Sequence, residues 1–142
     1  MKTILVDDER LAREELKRLL ENYSEIEVIG EYKNAIEAKE AIERDAPDLV
    51  FMDIQMPGET GLELLEKMPN PPRTVFVTAY DEYAIKAFEL QAYDYLMKPI
   101  DPERLAEVYH RLTEENKTPE SVANLAVLKE GDKVLIKDGD KV

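Results

Sequence analysis

The chain has 142 residues, 44% hydrophobic and 36% charged, enough for one packed domain with a short extension. Nineteen basic residues against 32 acidic ones leave a formal charge of -13, which argues against this segment gripping a nucleic-acid backbone or an anionic membrane surface through Lys and Arg. No cysteine is present, so disulfide staples and thiolate metal sites are excluded and a reducing compartment fits.

The opening, MKTILVDDER, has an apolar run too short for a signal peptide before acids interrupt it, and no stretch approaches transmembrane length. The expectation is a soluble, cytoplasmic protein. Thr3 to Val6 is a compact apolar run ending at Asp7-Asp8; Leu11, Ala12, Leu16, Leu19 and Leu20 then recur at helical spacing. Ile26 to Tyr32 reads as a strand with partial alternation. Asn34 and Glu37 resemble a capping box opening a helix with a small inner face of Ala35, Ala38, Ala41 and Ile42. Pro47 ends that helix.

Leu49 to Met52 is a continuous apolar run of the kind buried on both faces, and it stops on Asp53. Thr60 and Glu63 form a second capping box ahead of Leu62, Leu64 and Leu65. Val75 to Val77 is a fourth strand ending at Thr78, followed by a helical pattern through Ala84, Ala87 and Phe88. Those three could lie partly on a surface, although such spacing is more often core. Tyr93 to Met97 is the fifth strand, ending at Lys98-Pro99. Asp101-Pro102 supplies an N-cap and the proline favoured at the first helical position, ahead of Leu105, Val108 and Leu112. Five apolar runs alternating with five helical patterns predict βαβ units, hence an α/β fold with a parallel sheet covered on both faces.

Past Asn116 the texture changes. Residues 118–124 read as a linker. From Leu125 to Val142 the similar pieces LKEGDKV and IKDGDKV each set a Gly-Asp turn beside alternating apolar residues, predicting a hairpin-like extension. It reads either as the start of a further, truncated domain or as a hairpin closing this one.

In an open parallel sheet, ligands bind outside the carboxyl ends of the strands. The residues there are Asp7 and Asp8, Asp53, Thr78 and Lys98. Singly, each has a plain structural reading as a cap, a turn residue or an ordinary strand residue. Together they place three carboxylates, a hydroxyl and an ammonium on one rim. Crowded carboxylates resist full ionisation, and Mg²⁺, a hard cation that takes oxygen ligands, resolves the conflict. A carboxylate can then act as nucleophile toward a phosphoryl group, with the lysine and the cation neutralising its oxygens. His110, the sole histidine, is expected on the surface away from this rim.

ILVDDE, LVFMDIQMPGETGLELL, VFVTAY and YDYLMKPI together resemble the receiver domain of two-component response regulators, over residues 1–117. The resemblance implies a flavodoxin-like, doubly wound, five-stranded sheet of order 2-1-3-4-5. It implies that Asp53 is the phosphoacceptor for a sensor histidine kinase. Asp8, Asp53 and the backbone carbonyl of Gln55 would hold Mg²⁺, with Asp7 assisting through water. Thr78 and Lys98 would hold the phosphoryl oxygens, Tyr95 would be the switch aromatic, and the Lys98-Pro99 bond would be cis. Gln55 and Tyr80 occupy the positions that tune phosphate lifetime.

TAYDEYAIKAFELQAYDYLMKPID is similar to receivers joined to LytTR-type DNA-binding domains, and LAVLKEGDKVLIKDGDKV to the opening strands of such a domain. That subfamily implies a homodimer on phosphorylation, and DNA contact only through the missing domain. Turnover of an external substrate is not expected. A haloacid-dehalogenase-like phosphohydrolase is the alternative enzyme, but its second acid two residues after the nucleophile is replaced by Gln55. A phosphate-independent interaction module is the other alternative.

Overall fold

A computed structural model describes residues 1–115. The linker at 118–124 and the extension at 125–142 lie outside the described residues. Ten elements alternate along the chain: β1 Lys2–Val6, α1 Arg10–Leu20, β2 Glu27–Tyr32, α2 Ala35–Asp45, β3 Leu49–Met52, α3 Gly61–Lys67, β4 Arg73–Thr78, α4 Ala84–Glu89, β5 Asp94–Met97 and α5 Pro102–Glu115. The five strands form one parallel sheet in the order β2-β1-β3-β4-β5. This is the doubly wound arrangement expected from the sequence, with strand order reversing beside β1 and β3. The chain divides into two compact units after Leu105, within α5, and the first unit holds the whole sheet.

The apolar runs become strands because both of their faces are covered. Leu49, Val50, Phe51 and Met52 of β3 are all buried. Ile4, Val6, Val50, Met52 and Phe76 pack on one face with Ala35, Ala38 and Ala41 of α2, Leu62, Leu64 and Leu65 of α3, and Ala87 of α4. The alanines let α2 approach the sheet closely. Leu5, Phe51 and Val77, one residue out of phase, line a cavity of about 370 Å³ on the other face together with Leu16 of α1.

The helix starts follow their caps. Asn34 Oδ1 accepts from Glu37 N–H at 2.9 Å, while the Glu37 side chain accepts from Lys33 N–H rather than from Asn34. At α3 both halves of the box form: Glu63 N–H donates to Thr60 Oγ1 at 3.1 Å, and Thr60 N–H to Glu63 Oε1 at 2.9 Å. Asp101 caps α5 through Glu103 N–H at 2.9 Å. In α5, Leu105, Val108 and Leu112 are buried and His110 is exposed.

Two apolar positions differ from their helical spacing. Leu11 is 71% exposed although it lines the same cavity as Leu16, and of α1 only Leu16 and Leu20 are buried. Phe88 is 57% exposed while Ala87 is buried, so the short α4 turns its large side chain outward. No helix among the described residues is long and apolar enough to cross a membrane.

Register builds the rim. Val6 pairs with Met52 and Met52 with Phe76, so β1 and β3 end level with each other. Asp53 N–H continues the ladder to Val6 O at 2.9 Å, Asp7 N–H to Tyr32 O at 3.0 Å, and Lys98 N–H to Thr78 O at 2.8 Å.

Candidate functional site

The residues just past these strand ends share one cluster. Carboxylate oxygens of Asp7, Asp8 and Asp53 lie within 4.8 Å of one another. Asp7 and Asp53 are each 7% exposed, whereas Asp8 is open to solvent. Lys98 Nζ reaches into the group and donates to Asp7 Oδ2 at 2.8 Å and Asp53 Oδ2 at 3.0 Å. Glu9 approaches the same ammonium at 4.0 Å from the exposed side. Burial opposes the ammonium form of Lys98, but the hydrogen bonds to Asp7 and Asp53 outweigh it and hold its pKa above the ordinary lysine value. The Lys98–Pro99 peptide is cis.

One ammonium cannot balance three carboxylates, so negative charge is left over at a largely buried site. That surplus, on oxygen donors alone, fits a hard divalent cation. Thr78 supplies a second sign of incompleteness: its Oγ1 is buried and has no hydrogen-bond partner, although buried hydroxyls are ordinarily satisfied.

The other expected residues lie around this centre. Gln55 N–H donates to Asp53 Oδ1 at 3.3 Å, while its side chain turns toward α4. Tyr95 is buried, and its hydroxyl donates to the backbone carbonyl of Tyr80. Burial raises the pKa of that phenol, against the facing Tyr83 backbone amide, which lowers it. The Tyr80 side chain is about half exposed.

Several supporting residues have no sequence signature. Arg13 donates to the Asp7 carbonyl at 2.6 Å and so fixes the end of β1 from α1. Arg104 donates to Asp94 Oδ1 and to Tyr95 O, both at 3.0 Å, and so ties the start of α5 to β5. A buried aspartate inside a strand needs such a cation, and Asp94 was the available hint. Gly61 opens α3 against Asp53; a Cβ there would collide with the Asp53 carbonyl oxygen and stand 3.1 Å from the Phe76 ring.

A family model for the response regulator receiver domain matches residues 3–110. The chain belongs to the response regulator receiver family. The receiver is 50% identical to the transcriptional regulatory protein BtsR of Salmonella typhi over 117 residues, which are 81% of this chain and 49% of that one. It is 50% identical to the sensory transduction protein LytT of Bacillus anthracis over 110 residues, 75% of this chain and 45% of that one. The LytT match is consistent with the LytTR-type subfamily. Among solved structures, the response regulatory domain of mrkE from Klebsiella pneumoniae superposes with a TM-score of 0.74 at 34% identity, covering 80% of this chain and 95% of that one. The receiver therefore spans about half the length of these curated relatives, whose names are those of regulators rather than of enzymes.

Proposed function

We propose that the receiver takes a phosphoryl group from a histidine kinase onto Asp53 and uses it to switch an attached DNA-binding domain. One observation carries this reading: the buried acids carry surplus negative charge beside a buried threonine hydroxyl that has no partner. A phosphorylated aspartate, with a cation, would supply what each lacks.

Asp8, Asp53 and the Gln55 carbonyl would hold Mg²⁺, with Asp7 acting through water. When bound, the cation supplies positive charge that offsets both the crowded acids and the phosphoryl oxygens. A carboxylate oxygen of Asp53 attacks the phosphorus of a phosphohistidine; the P–N bond breaks and its electron pair stays with the histidine. Lys98, already hydrogen-bonded to Asp53, shifts to a phosphoryl oxygen. The Thr78 hydroxyl donates to another. Tyr95 follows Thr78, and phosphate biases which of two surface arrangements near α4 and β5 is populated. Gln55 and Tyr80 set how long the group lasts.

The matched residues make up only about half of each relative, which supports a receiver over 1–117, a linker over 118–124, and the start of a LytTR-type domain from 125. Phosphorylation would favour a homodimer, DNA contact would belong to the second domain, and the whole would work in the cytoplasm.

Acetyl phosphate with Mg²⁺ is expected to add one phosphoryl group, read as a mass gain that chelation prevents. Absence of that gain, or an equal gain in Asp53→Asn, would refute the assignment.

A further inference from the structure

The Gln55 side chain is tied to a tyrosine 28 residues further along the chain: its Nε2 donates to Tyr83 Oη at 2.5 Å. Gln55 is exposed, and water could serve its amide equally well. Tyr83, in contrast, is anchored. It is half-buried against the core that α2, α3 and α4 share with the sheet, and its ring meets Tyr80 edge-on at 6.3 Å between centroids. Its carbonyl accepts from Ala87 N–H at 2.9 Å in the first turn of α4. The phenol therefore presents its hydroxyl from a fixed base, and Gln55 is the partner that adapts. Gln55 in turn stands two residues after Asp53, with its own N–H on the Asp53 carboxylate.

We propose that Tyr83 is a positioning residue that holds the Gln55 amide away from water beside Asp53 and thereby prolongs the phosphorylated state. The proposal rests on the reading of Asp53 as phosphoacceptor. Loss of the group is a hydrolysis. A water oxygen attacks phosphorus, the bond from phosphorus to the Asp53 oxygen breaks, and the carboxylate leaves with the electron pair. The water's proton passes to solvent, and inorganic phosphate departs. A free carboxamide two residues from Asp53 can hydrogen-bond such a water and orient it, as glutamines do in other phosphoryl transfers. With its Nε2 held on Tyr83 Oη, the Gln55 amide is fixed toward α4 and is not free to swing over Asp53 and do so.

The test compares the full chain with Tyr83→Phe, Gln55→Met and the double variant. The first readout is the Gln55 side-chain amide resonance in protein free of phosphate and metal. Tyr83→Phe is expected to move it toward the position of a solvated glutamine. The second is decay of the phosphoryl group after loading from acetyl phosphate with Mg²⁺ and removal of the donor. Tyr83→Phe is expected to shorten the lifetime several-fold. The same change in the Gln55→Met background is expected to alter nothing.

An unmoved amide resonance in Tyr83→Phe overturns the proposal, and so does an equal shortening in the Gln55→Met background, since Tyr83 would then act through the fold alone. Failure of the wild type to accept phosphate overturns the reading of Asp53 and removes the lifetime role with it. Normal acceptance with unchanged decay in Tyr83→Phe overturns the role of Tyr83 alone.

Discussion

Two ion clusters flank β1 and are near mirror images. At the end of the strand, one cation, Lys98, is shared by the carboxylates of Asp7 and Asp53. On its β2 side, one carboxylate, Glu31, is shared by Lys17 at 2.5 Å and Arg13 at 3.2 Å. Arg13 joins the two, since it also binds the Asp7 carbonyl. Both clusters pair carboxylates with basic side chains, yet only one looks like a site. Glu31 has two partners, Lys17 is nearly half exposed, and the surplus charge there is a hydrated cation. The Lys98 cluster is mostly buried, carries surplus negative charge, and lies on the rim with an unsatisfied threonine. What sets the rim apart is burial together with surplus negative charge, not the presence of ion pairs.

The largest test of this contrast removes the shared ion at the rim. Lys98→Met leaves buried carboxylates facing one another without a cation. Breaking a buried pair in this way costs about 3 kcal/mol, and denaturant unfolding in chelator is expected to show a loss of that size. Mg²⁺ should recover much of it. A loss no greater than a surface charge change would show that the rim is better solvated than its burial implies.

Mg²⁺ itself gives the next effect. Ligand binding to the folded state stabilises by about 2.7 kcal/mol at one hundred times the dissociation constant. Thermal unfolding of the wild type is expected to shift upward with Mg²⁺ concentration. Asp8→Asn should abolish most of that shift while leaving the metal-free protein at least as stable, because one repelling charge has gone. An unchanged Mg²⁺ response in Asp8→Asn would place the cation elsewhere.

A third effect comes from backbone fit. Gly61→Ala pushes a methyl group against the Asp53 carbonyl, and such overpacking costs about 2 kcal/mol. The same variant should accept phosphate more slowly, since Asp53 must move to make room.

These tests also separate what could be read along the chain from what could not. Strand ends are one-dimensional features. A buried run such as Leu49 to Met52 stopping on Asp53 is visible in the letters, and so is the capping box at Thr60 and Glu63. Alternation of runs and helices then dictates which ends share a rim, which is why Asp7, Asp8, Asp53, Thr78 and Lys98 could be collected from the order of residues alone. Contacts across long separations leave no such trace. Nothing around Gln55 announces Tyr83, and nothing around Arg13 announces both Asp7 and Glu31. Gly61 is visible as a residue at a helix start, but the closeness of Asp53 belongs to packing. Leu11 shows the converse: its spacing fits a buried helical stripe, yet it is left 71% exposed along a cavity that the sheet also lines.

The smallest expected effect lies in the other cluster and sets the scale for the rim. The hydrogen bond from Lys17 holds the Glu31 carboxyl below the ordinary glutamate pKa, against partial burial that raises it, with Arg13 adding to the lowering. A carboxylate whose pKa is depressed on folding stabilises the protein above its unfolded pKa, about 4.3, and loses that contribution as pH falls through the folded value. Glu31→Gln should therefore cost about 0.5 kcal/mol at neutral pH, as solvent-screened pairs do. The difference from wild type should narrow in high salt and close as the pH falls below the glutamate range. Urea unfolding at several pH values measures it. A cost as large as that of Lys98→Met would mean that the two clusters are equally buried in effect, and that the imbalance of charge at the rim is not what distinguishes it.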